Sequence, residues 1–231
     1  PIPGGDEWLA VNGSAFKADG DEVTTFELGI KTGFLDNRVS LAGAIYYMEW
    51  EDMLMAQTTA PPQLFGAEVL FQDNTRDAHS QGIELEVSAL LSDRLTWAVG
   101  GDYNDEAQLD SVERADARIY VTPIVEGQRL FNSPKYSWNT SLSYHLPFNN
   151  GWELDARADW YRVAEDFDAP GYHKVNTRFT LTNAERSVRL ALFAENLKNE
   201  TIVFNANDIL GIRFGQPRTI GLEVRYDLGG Y

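Results

Sequence analysis

The residues with the clearest chemical potential form an alternating run of charges in the segment ELDARAD. Asp155, Arg157 and Asp159 occupy every second position, so in a β-strand they share one face. Two carboxylates on one face could act as a general acid and a general base. The alternative is a network of ion pairs, which could reach Arg178 or Glu195 on neighbouring strands, because cross-strand side chains lie within contact distance. Adjacent same-face positions favour the network.

Metal binding is the second kind of chemistry that these residue types suggest. Acidic runs at 104–106 and 165–168 supply the oxygen ligands that calcium prefers, although solvated loops explain them as well. His79, His145 and His173 stand far apart, without the spacing of a histidine metal site. No serine–histidine–aspartate order, phosphate loop or dinucleotide fingerprint is present. We therefore expect no bound metal, no cofactor and no enzymatic activity.

The composition limits the class of protein. The 231-residue chain has a formal net charge of −16, which disfavours nucleic-acid binding because phosphates would be repelled. The absence of cysteine excludes disulfides and thiolate metal sites. No window is long and apolar enough for a membrane-spanning helix. A soluble β-protein and a membrane β-barrel both remain possible.

Apolar and polar residues alternate throughout the chain. In RTIGLEVRYDL, Ile220, Leu222 and Val224 alternate with Gly221 and Glu223, so a strand here has one apolar and one polar face. The same period recurs in the segments TTFELGIKTGFL, VSLAGAIYYMEW, QGIELEVSALL, LTWAVGGDY, YSWNTSLSYHL, WELDARADWY, HKVNTRFTLT and SVRLALFAEN. The pattern predicts about nine strands and no amphipathic helix.

The connections between these strands alternate between short and long. Turn-type residues fill the short connections at 36–38, 92–94, 149–151 and 184–187. The long connections run roughly from Met55 to Asp77, Asp105 to Pro134, Val163 to Tyr172 and Val203 to Pro217. In an up-and-down meander, every second connection lies at the same end of the sheet. Short turns at one end and long loops at the other are typical of an outer-membrane barrel.

Two environments could satisfy the two faces of these strands. In a soluble antiparallel sandwich, the apolar face lines a core and the charged face meets water. In a membrane barrel, the apolar face meets lipid and the charged face lines the interior. Strands of about ten residues, aromatic residues near strand ends and the loop asymmetry favour the barrel. The predicted interior charge network comprises Glu84, Glu86, Asp155, Arg157, Asp159, Arg178, Glu195, Glu223 and Arg225.

Five segments resemble the C-terminal half of TonB-dependent outer-membrane receptors. They are VTTFELGIKTGFLDNRVSLAGAIYYMEWEDM, NTRDAHSQGIELEVSALLSDRLTWAVGGDYNDEA, FNSPKYSWNTSLSYHLPF, LFAENLKNETIVFN and FGQPRTIGLEVRYDL. The resemblance implies an antiparallel, up-and-down transmembrane β-barrel of 22 strands with an N-terminal plug, of which this chain supplies about the last nine strands. Residues 1–22 would be an extracellular loop segment and residues 23–231 the C-terminal portion of the barrel. The implied location is the Gram-negative outer membrane.

The same resemblance implies active uptake of a scarce ligand, such as a ferric siderophore, haem, cobalamin or an oligosaccharide. The implied partners are this small-molecule ligand, TonB through an N-terminal plug region, the remaining barrel strands, the barrel assembly machinery, and outer-membrane lipids with lipopolysaccharide. A passive pore or a structural outer-membrane protein is the first alternative. A soluble carbohydrate-binding sandwich is the second.

Two further sets of residues follow from the resemblance to this family. Its members usually end in an aromatic residue that the assembly machinery reads, and the candidates for this signal are Tyr226, Leu228 and Tyr231. The ligand is expected at the long loops and the outer strand ends, where the candidates are Trp50, Met53, Tyr120, Arg129, Tyr161, Arg162, Asn205, Asn207 and Arg213. Rims rich in aromatic residues and Asn suit sugars, whereas Arg-rich rims suit anionic chelates, so the ligand class stays open.

Overall fold

A computed structural model of the chain describes residues 20–58, 70–74, 76–112, 126–166, 169–207 and 211–228. The strands in these ranges are β1 (Glu22–Phe34), β2 (Val39–Glu51), β3 (Leu54–Thr58), β4 (Leu70–Asn74), β5 (Arg76–Ser92), β6 (Leu95–Val112), β7 (Tyr136–Pro147), β8 (Glu153–Val163), β9 (Tyr172–Thr182), β10 (Val188–Glu195), β11 (Val203–Asn207), β12 (Gly211–Phe214) and β13 (Thr219–Tyr226). Nine of them form one sheet in the order β1-β2-β5-β6-β7-β8-β9-β10-β13. The predicted all-β meander is confirmed.

Two of the predicted long connections each contain a short hairpin. Within the connection predicted from Met55 to Asp77, β3 pairs with β4 from Leu54↔Asn74 to Thr58↔Leu70. Within the connection predicted from Val203 to Pro217, β11 pairs with β12. Both connections are long, as predicted, and each contains a hairpin that the alternation pattern did not predict. The physical reason is that backbone N–H and C=O groups still need partners where the chain leaves the main sheet, and a hairpin supplies them locally.

The register of the main sheet aligns the apolar residues of neighbouring strands. Between β10 and β13, Leu190 lies opposite Val224 and Leu192 lies opposite Leu222. The same alignment continues from β10 through β9, β8 and β7 to β6. Because side chains alternate with a period of two, this register places Asp155, Arg157, Asp159, Arg178 and Glu223 on the other face. The second face is therefore polar as a whole.

The apolar face is exposed rather than packed into a core. Leu222 is 72% exposed, Val224 64% and Leu142 45%, whereas most buried apolar residues in the described ranges are alanines. A water-soluble sandwich would cover such a face with a second layer. An exposed apolar surface of this extent indicates contact with a non-aqueous environment.

By its contacts the chain divides into two compact units. The first unit comprises Pro1–Glu27, Tyr46–Gln81 and Asp105–Leu130, and the second comprises Leu28–Ile45, Gly82–Asn104 and Phe131–Tyr231. No helix among the described residues has the length and apolar composition needed to cross a membrane.

The first unit has a small apolar core of its own. Met53, Ala78 and Leu109 are buried together, and Trp50 and Leu130 pack against them. Segment 126–130 contributes to this packing, since its backbone bonds that of β6, with Leu130 N donating to the Ala107 carbonyl at 2.8 Å. The core ties the end of β6 to residues that follow β2.

Short turns join successive strands at one end of the sheet, which we call the short-turn end; the opposite end is the long-connection end. The turns occupy 35–38, 93–94, 148–152 and 183–187. Gly151 has φ of +80° in the third turn, a conformation that suits glycine. In the fourth turn, Arg186 donates to Glu153 Oε1 at 2.7 Å, and this hydrogen bond raises the pKa of the Arg186 guanidinium. The predicted short turns are thus confirmed at one common end.

A test of the two faces compares neighbouring positions on β7 in the full-length protein that contains this chain. Leu142→Arg places a charge on the apolar face and should lower the free energy of unfolding in lipid vesicles by about 2–4 kcal/mol. Ser141→Arg places the same charge on the polar face, opposite Asp159, and should change it by less than about 0.5 kcal/mol. Equilibrium denaturant unfolding measures both. Equal losses at the two positions would contradict the assignment of the apolar face to lipid.

Candidate functional site

A row of three polar side chains crosses β7, β8 and β9 at the long-connection end. Asn139 lies opposite Tyr161, and Tyr161 lies opposite Lys174. The three residues continue the alternation of Asp159 and Asn176, which are opposite each other one step further along the strands, so they lie on the polar face. We call Asn139, Tyr161 and Lys174 the ligand row.

The ligand row combines an aromatic ring with a cation and an amide. Lys174 Nζ lies 5.1 Å from the centre of the Tyr161 ring, which is within the range of a cation–π interaction. The Tyr161 and Lys174 side chains are half-buried, so neighbouring residues restrict them. The ammonium, the phenol hydroxyl and the amide can all donate hydrogen bonds to ligand oxygens, and charge-assisted bonds to an anion are the strongest of these. The row is suited to a polar or anionic ligand with an apolar portion.

Two arginines face each other across neighbouring strands on the short-turn side of the ligand row. Arg157 of β8 lies directly opposite Arg178 of β9, an arrangement that is destabilising for like charges. Each arginine has its own carboxylate: Arg157 is 2.7 Å from Asp159, and Arg178 is 2.6 Å from Glu223. The ion pairs offset the repulsion and place fixed charges of both signs on the polar face. Asp159 is therefore engaged in an ion pair rather than available as a catalytic base.

The Arg178–Glu223 pair spans a whole intervening strand, because Arg178 is on β9 and Glu223 is on β13. The β10 residue opposite Glu223 is Ala191, which is small and 2% exposed. The guanidinium lies 5.7 Å from the centre of the Phe193 ring. Phe193 itself covers Gly221, where any side chain would overlap the ring. Small residues at two positions thus allow the pair to form.

The remaining members of the predicted network lie in several separate contacts. Asp155 is 2.8 Å from His145 Nδ1, and Arg225 is 3.2 Å from Asp227. Glu195 lies opposite Thr219 of β13. These contacts lie at different heights on the polar face.

Glu86 contributes to a hollow of about 330 Å³ on the polar face of the second unit. Small residues of β2, β5 and β6 form its floor, and Lys31 and Asn139 also line it. Asn139 therefore belongs both to this hollow and to the ligand row. Glu84 lies two positions from Glu86 on the same strand, so it follows the same alternation.

Three predicted ligand residues fall in the first unit. Trp50 donates from Nε1 to Asp21 Oδ2 at 2.7 Å and packs against the apolar core, in which Met53 is only 3% exposed. Arg129 donates to the Asp105 carbonyl at 3.4 Å. Met53 is buried in the core, which gives it a packing role. Direct ligand contact by Trp50 and Arg129 stays a prediction.

The other predicted ligand residues fall in the second unit or outside the described ranges. Tyr161 and Arg162 are adjacent on β8, so they lie on opposite faces, and only Tyr161 belongs to the ligand row. Asn205 is opposite Arg213 in the β11–β12 hairpin, and Asn207 is opposite Gly211. Tyr120 lies outside the described residues.

The candidates for the assembly signal lie at the end of β13. Tyr226 is the last residue of that strand and is 63% exposed, and Leu228 is 86% exposed. Tyr231 lies outside the described residues. The role of these residues stays a prediction.

Sequence reasoning missed Lys174 and Asn139 of the ligand row. Lys174 lies four residues before Arg178 on β9, so the two-residue period places both side chains on the polar face. This period was the signal available in the sequence. It also missed the contacts of His79, whose ring bonds Asp110 through Nδ1 and lies 3.2 Å from Glu106 through Nε2. No group of His, Asp or Glu in the described part of the chain is arranged to hold a metal ion.

Comparisons with known proteins converge on one kind of protein. The family model described as "TonB dependent receptor-like, beta-barrel" matches residues 7–197. The metal-pseudopaline receptor CntO of Pseudomonas aeruginosa is 27% identical over 228 residues, which cover 93% of this chain and 29% of that receptor. The chain therefore spans about three-tenths of the length of this curated relative.

Two solved structures share the fold at low sequence identity. The ferric yersiniabactin uptake receptor FyuA from Yersinia pestis has a TM-score of 0.68 and 18% identity, covering 90% of this chain and 30% of that chain. BauA, the ferric preacinetobactin receptor from Acinetobacter baumannii, has a TM-score of 0.65 and 14% identity, covering 88% of this chain and 29% of that chain.

The contact between Phe193 and Gly221 can be tested with two identical substitutions on the polar face. Gly221→Ala should lower the free energy of unfolding by about 1–3 kcal/mol, because the added methyl overlaps the ring. Gly100→Ala is the matched control: its new methyl would meet Asn139 at 3.5 Å, and the change should stay within about 0.5 kcal/mol. Denaturant unfolding gives both values. Similar effects at the two glycines, or no rescue of Gly221→Ala by Phe193→Leu, would refute the packing.

Proposed function

This chain belongs to the TonB dependent receptor-like β-barrel family, and from that premise we propose that it forms part of the wall of a receptor for active uptake of a metal–chelator complex. Proteins of this family reside in the Gram-negative outer membrane and are transporters rather than enzymes, in agreement with the location and the non-enzymatic class predicted from the sequence. The soluble sandwich is thereby excluded.

One observation carries the proposal, namely the separation of the two faces. Leu222 and Val224 are among the most exposed residues of the apolar face, while Glu223 between them pairs with Arg178 on the other face. A wall that is apolar outside and ionic inside separates lipid from a polar interior. Such an interior is what a receptor for a polar ligand requires.

The edges of the main sheet support the proposal that further strands complete the wall. β1 and β13 are the outer strands in the sheet order. A sheet edge in hydrocarbon would leave backbone groups without hydrogen bonds, and closed barrels avoid this cost. We therefore assign further strands of the whole protein to both edges. We also propose that the partners of the whole protein are an interior plug, TonB, the barrel assembly machinery and lipopolysaccharide.

The choice of a metal–chelator complex rests on two supports. The relatives described above are named as receptors for metal-pseudopaline, ferric yersiniabactin and ferric preacinetobactin. On this chain, the ligand row offers an aromatic ring beside an ammonium group, which suits the carboxylate or phenolate oxygens of a chelator. Haem, cobalamin and oligosaccharides, which the sequence left open, lack the first of these two supports.

Uptake by the full-length receptor tests the proposed activity. A deletion strain should lose accumulation of a radiolabelled iron(III) or zinc(II) complex from a panel of hydroxamate, catecholate and carboxylate chelators, and the receptor gene should restore it. The uncomplexed metal is the control for other routes. Restored accumulation that persists without TonB would indicate a passive pore instead.

The ligand row makes a second, residue-level prediction. Tyr161→Ala and Lys174→Gln should each weaken binding of the transported complex about tenfold, because each removes one partner of the cation–π pair. Tyr161→Phe should retain most of the affinity, since the ring remains. Arg94→Gln at the short-turn end makes the same charge change as Lys174→Gln and should bind normally. Titration of the purified receptors measures all four, and an unaffected Lys174→Gln receptor would remove the row from the site.

A further inference from the structure

The apolar face does not stay apolar up to the long-connection end. The register places Gly101 opposite Trp138, Trp138 opposite Arg162, and Arg162 opposite His173. On β8 and β9, Arg162 and His173 lie two positions beyond Trp160 and Val175, which are themselves opposite each other. Because alternate residues share a face, Trp138, Arg162 and His173 form a row on the lipid-facing side.

Trp138 is seated in this row by the glycine beside it. A side chain at Gly101 would overlap the Trp138 ring, so the absence of a Cβ lets the indole lie over β6. Tryptophan in a membrane protein favours the level of the lipid headgroups. The indole therefore marks the height at which the row meets the membrane surface.

A second basic residue is held beside the row by the turn that follows β10. Lys198 Nζ lies 3.3 Å from His173 Nε2, and Glu200 lies 3.0 Å from the same nitrogen. Asn196, which is 1% exposed, fixes this turn by donating from Nδ2 to the carbonyls of Glu200 at 2.9 Å and Gln216 at 3.1 Å. The lysine is therefore presented by an ordered turn.

The charges in this region are unusual for the protein. The chain as a whole carries −16, yet two basic residues adjoin His173: Arg162 lies opposite it on the lipid-facing side, and Lys198 contacts its ring. Glu200 is paired to the same histidine. Among the described residues, the Arg162 guanidinium has no hydrogen-bond or ion-pair partner, and its five donors suit a phosphate. We propose that Trp138, Arg162, His173 and Lys198 form a binding site for a phosphorylated lipid headgroup of the outer leaflet.

The chemistry of the four residues explains why a phosphorylated lipid fits better than a free anion. A guanidinium binds phosphate through two parallel hydrogen bonds, and an ammonium adds a point charge. Both groups stand at the upper border of an apolar face, so acyl chains attached to the same headgroup can cover Trp160 and the leucines below. Inorganic phosphate would gain only the polar contacts. The site rests on the lipid-facing assignment and not on the identity of the transported ligand.

The test uses the full-length receptor, purified in detergent and titrated with bisphosphorylated lipid A in native mass spectrometry. The double variant Arg162→Gln/Lys198→Gln should bind this lipid at least about tenfold more weakly than the unaltered receptor. Arg94→Gln, which removes a basic group at the short-turn end, should bind it normally. The affinity of Arg162→Lys for the lipid should fall between those two values, because lysine keeps the charge and loses the bidentate contact. This variant also tests the site if the double variant does not fold.

Three results would overturn the site. The first is equal binding by the double variant and the unaltered receptor, which would mean that the basic chains only extend toward water. The second is equal binding of dephosphorylated lipid A, and the third is displacement of the lipid by inorganic phosphate at comparable concentration. If the unaltered receptor transports no metal chelate but still binds lipid A, the proposed function is wrong and this site remains.

Discussion

The hydrogen-bonded register of the main sheet is the constraint on which the other features depend. In hydrocarbon every backbone N–H and C=O must be paired within the sheet, so strands cannot slide independently. A slip of one residue between β10 and β13 would bring Glu223 to the apolar face and Leu222 to the polar face. The observed pairing of Leu192 with Leu222 avoids this. One ladder of hydrogen bonds thus determines which residues meet lipid and which meet the interior.

The register also creates local conflicts that small residues resolve. It places Arg157 opposite Arg178, and the repulsion is offset because Arg157 pairs with Asp159 and Arg178 reaches Glu223 across β10. That reach requires a short side chain at Ala191 and a position for Phe193 over Gly221. On the lipid-facing side, the absence of a side chain at Gly101 leaves room for the Trp138 ring. The glycines and alanines of these strands are therefore part of the electrostatic arrangement as well as of the packing.

Much of the fold was predictable from the sequence because alternation is a strictly local signal. Each apolar residue near Leu222 reports its face through its neighbours, and turn residues mark the short connections. The β3–β4 and β11–β12 hairpins were not predictable in the same way, since segments of four or five residues are too short for a clear period. The burial of Met53 was also hidden, because it depends on Ala78 and Leu109, which are distant in the sequence.

The candidate site was harder to predict because function here depends on the face as much as on the residue type. Tyr161 and Arg162 are neighbours in the chain and both suit ligand binding chemically, yet a period of two puts them on opposite sides of the same wall. Lys174, which the sequence did not single out, is the true neighbour of Tyr161 across the strands. At the long-connection end, one strand therefore contributes polar chemistry to two separate environments: Tyr161 to the interior, and Arg162 to the membrane surface. The role of a charged residue on a barrel strand can be assigned only when it is known whether that residue shares a face with the lipid-facing positions.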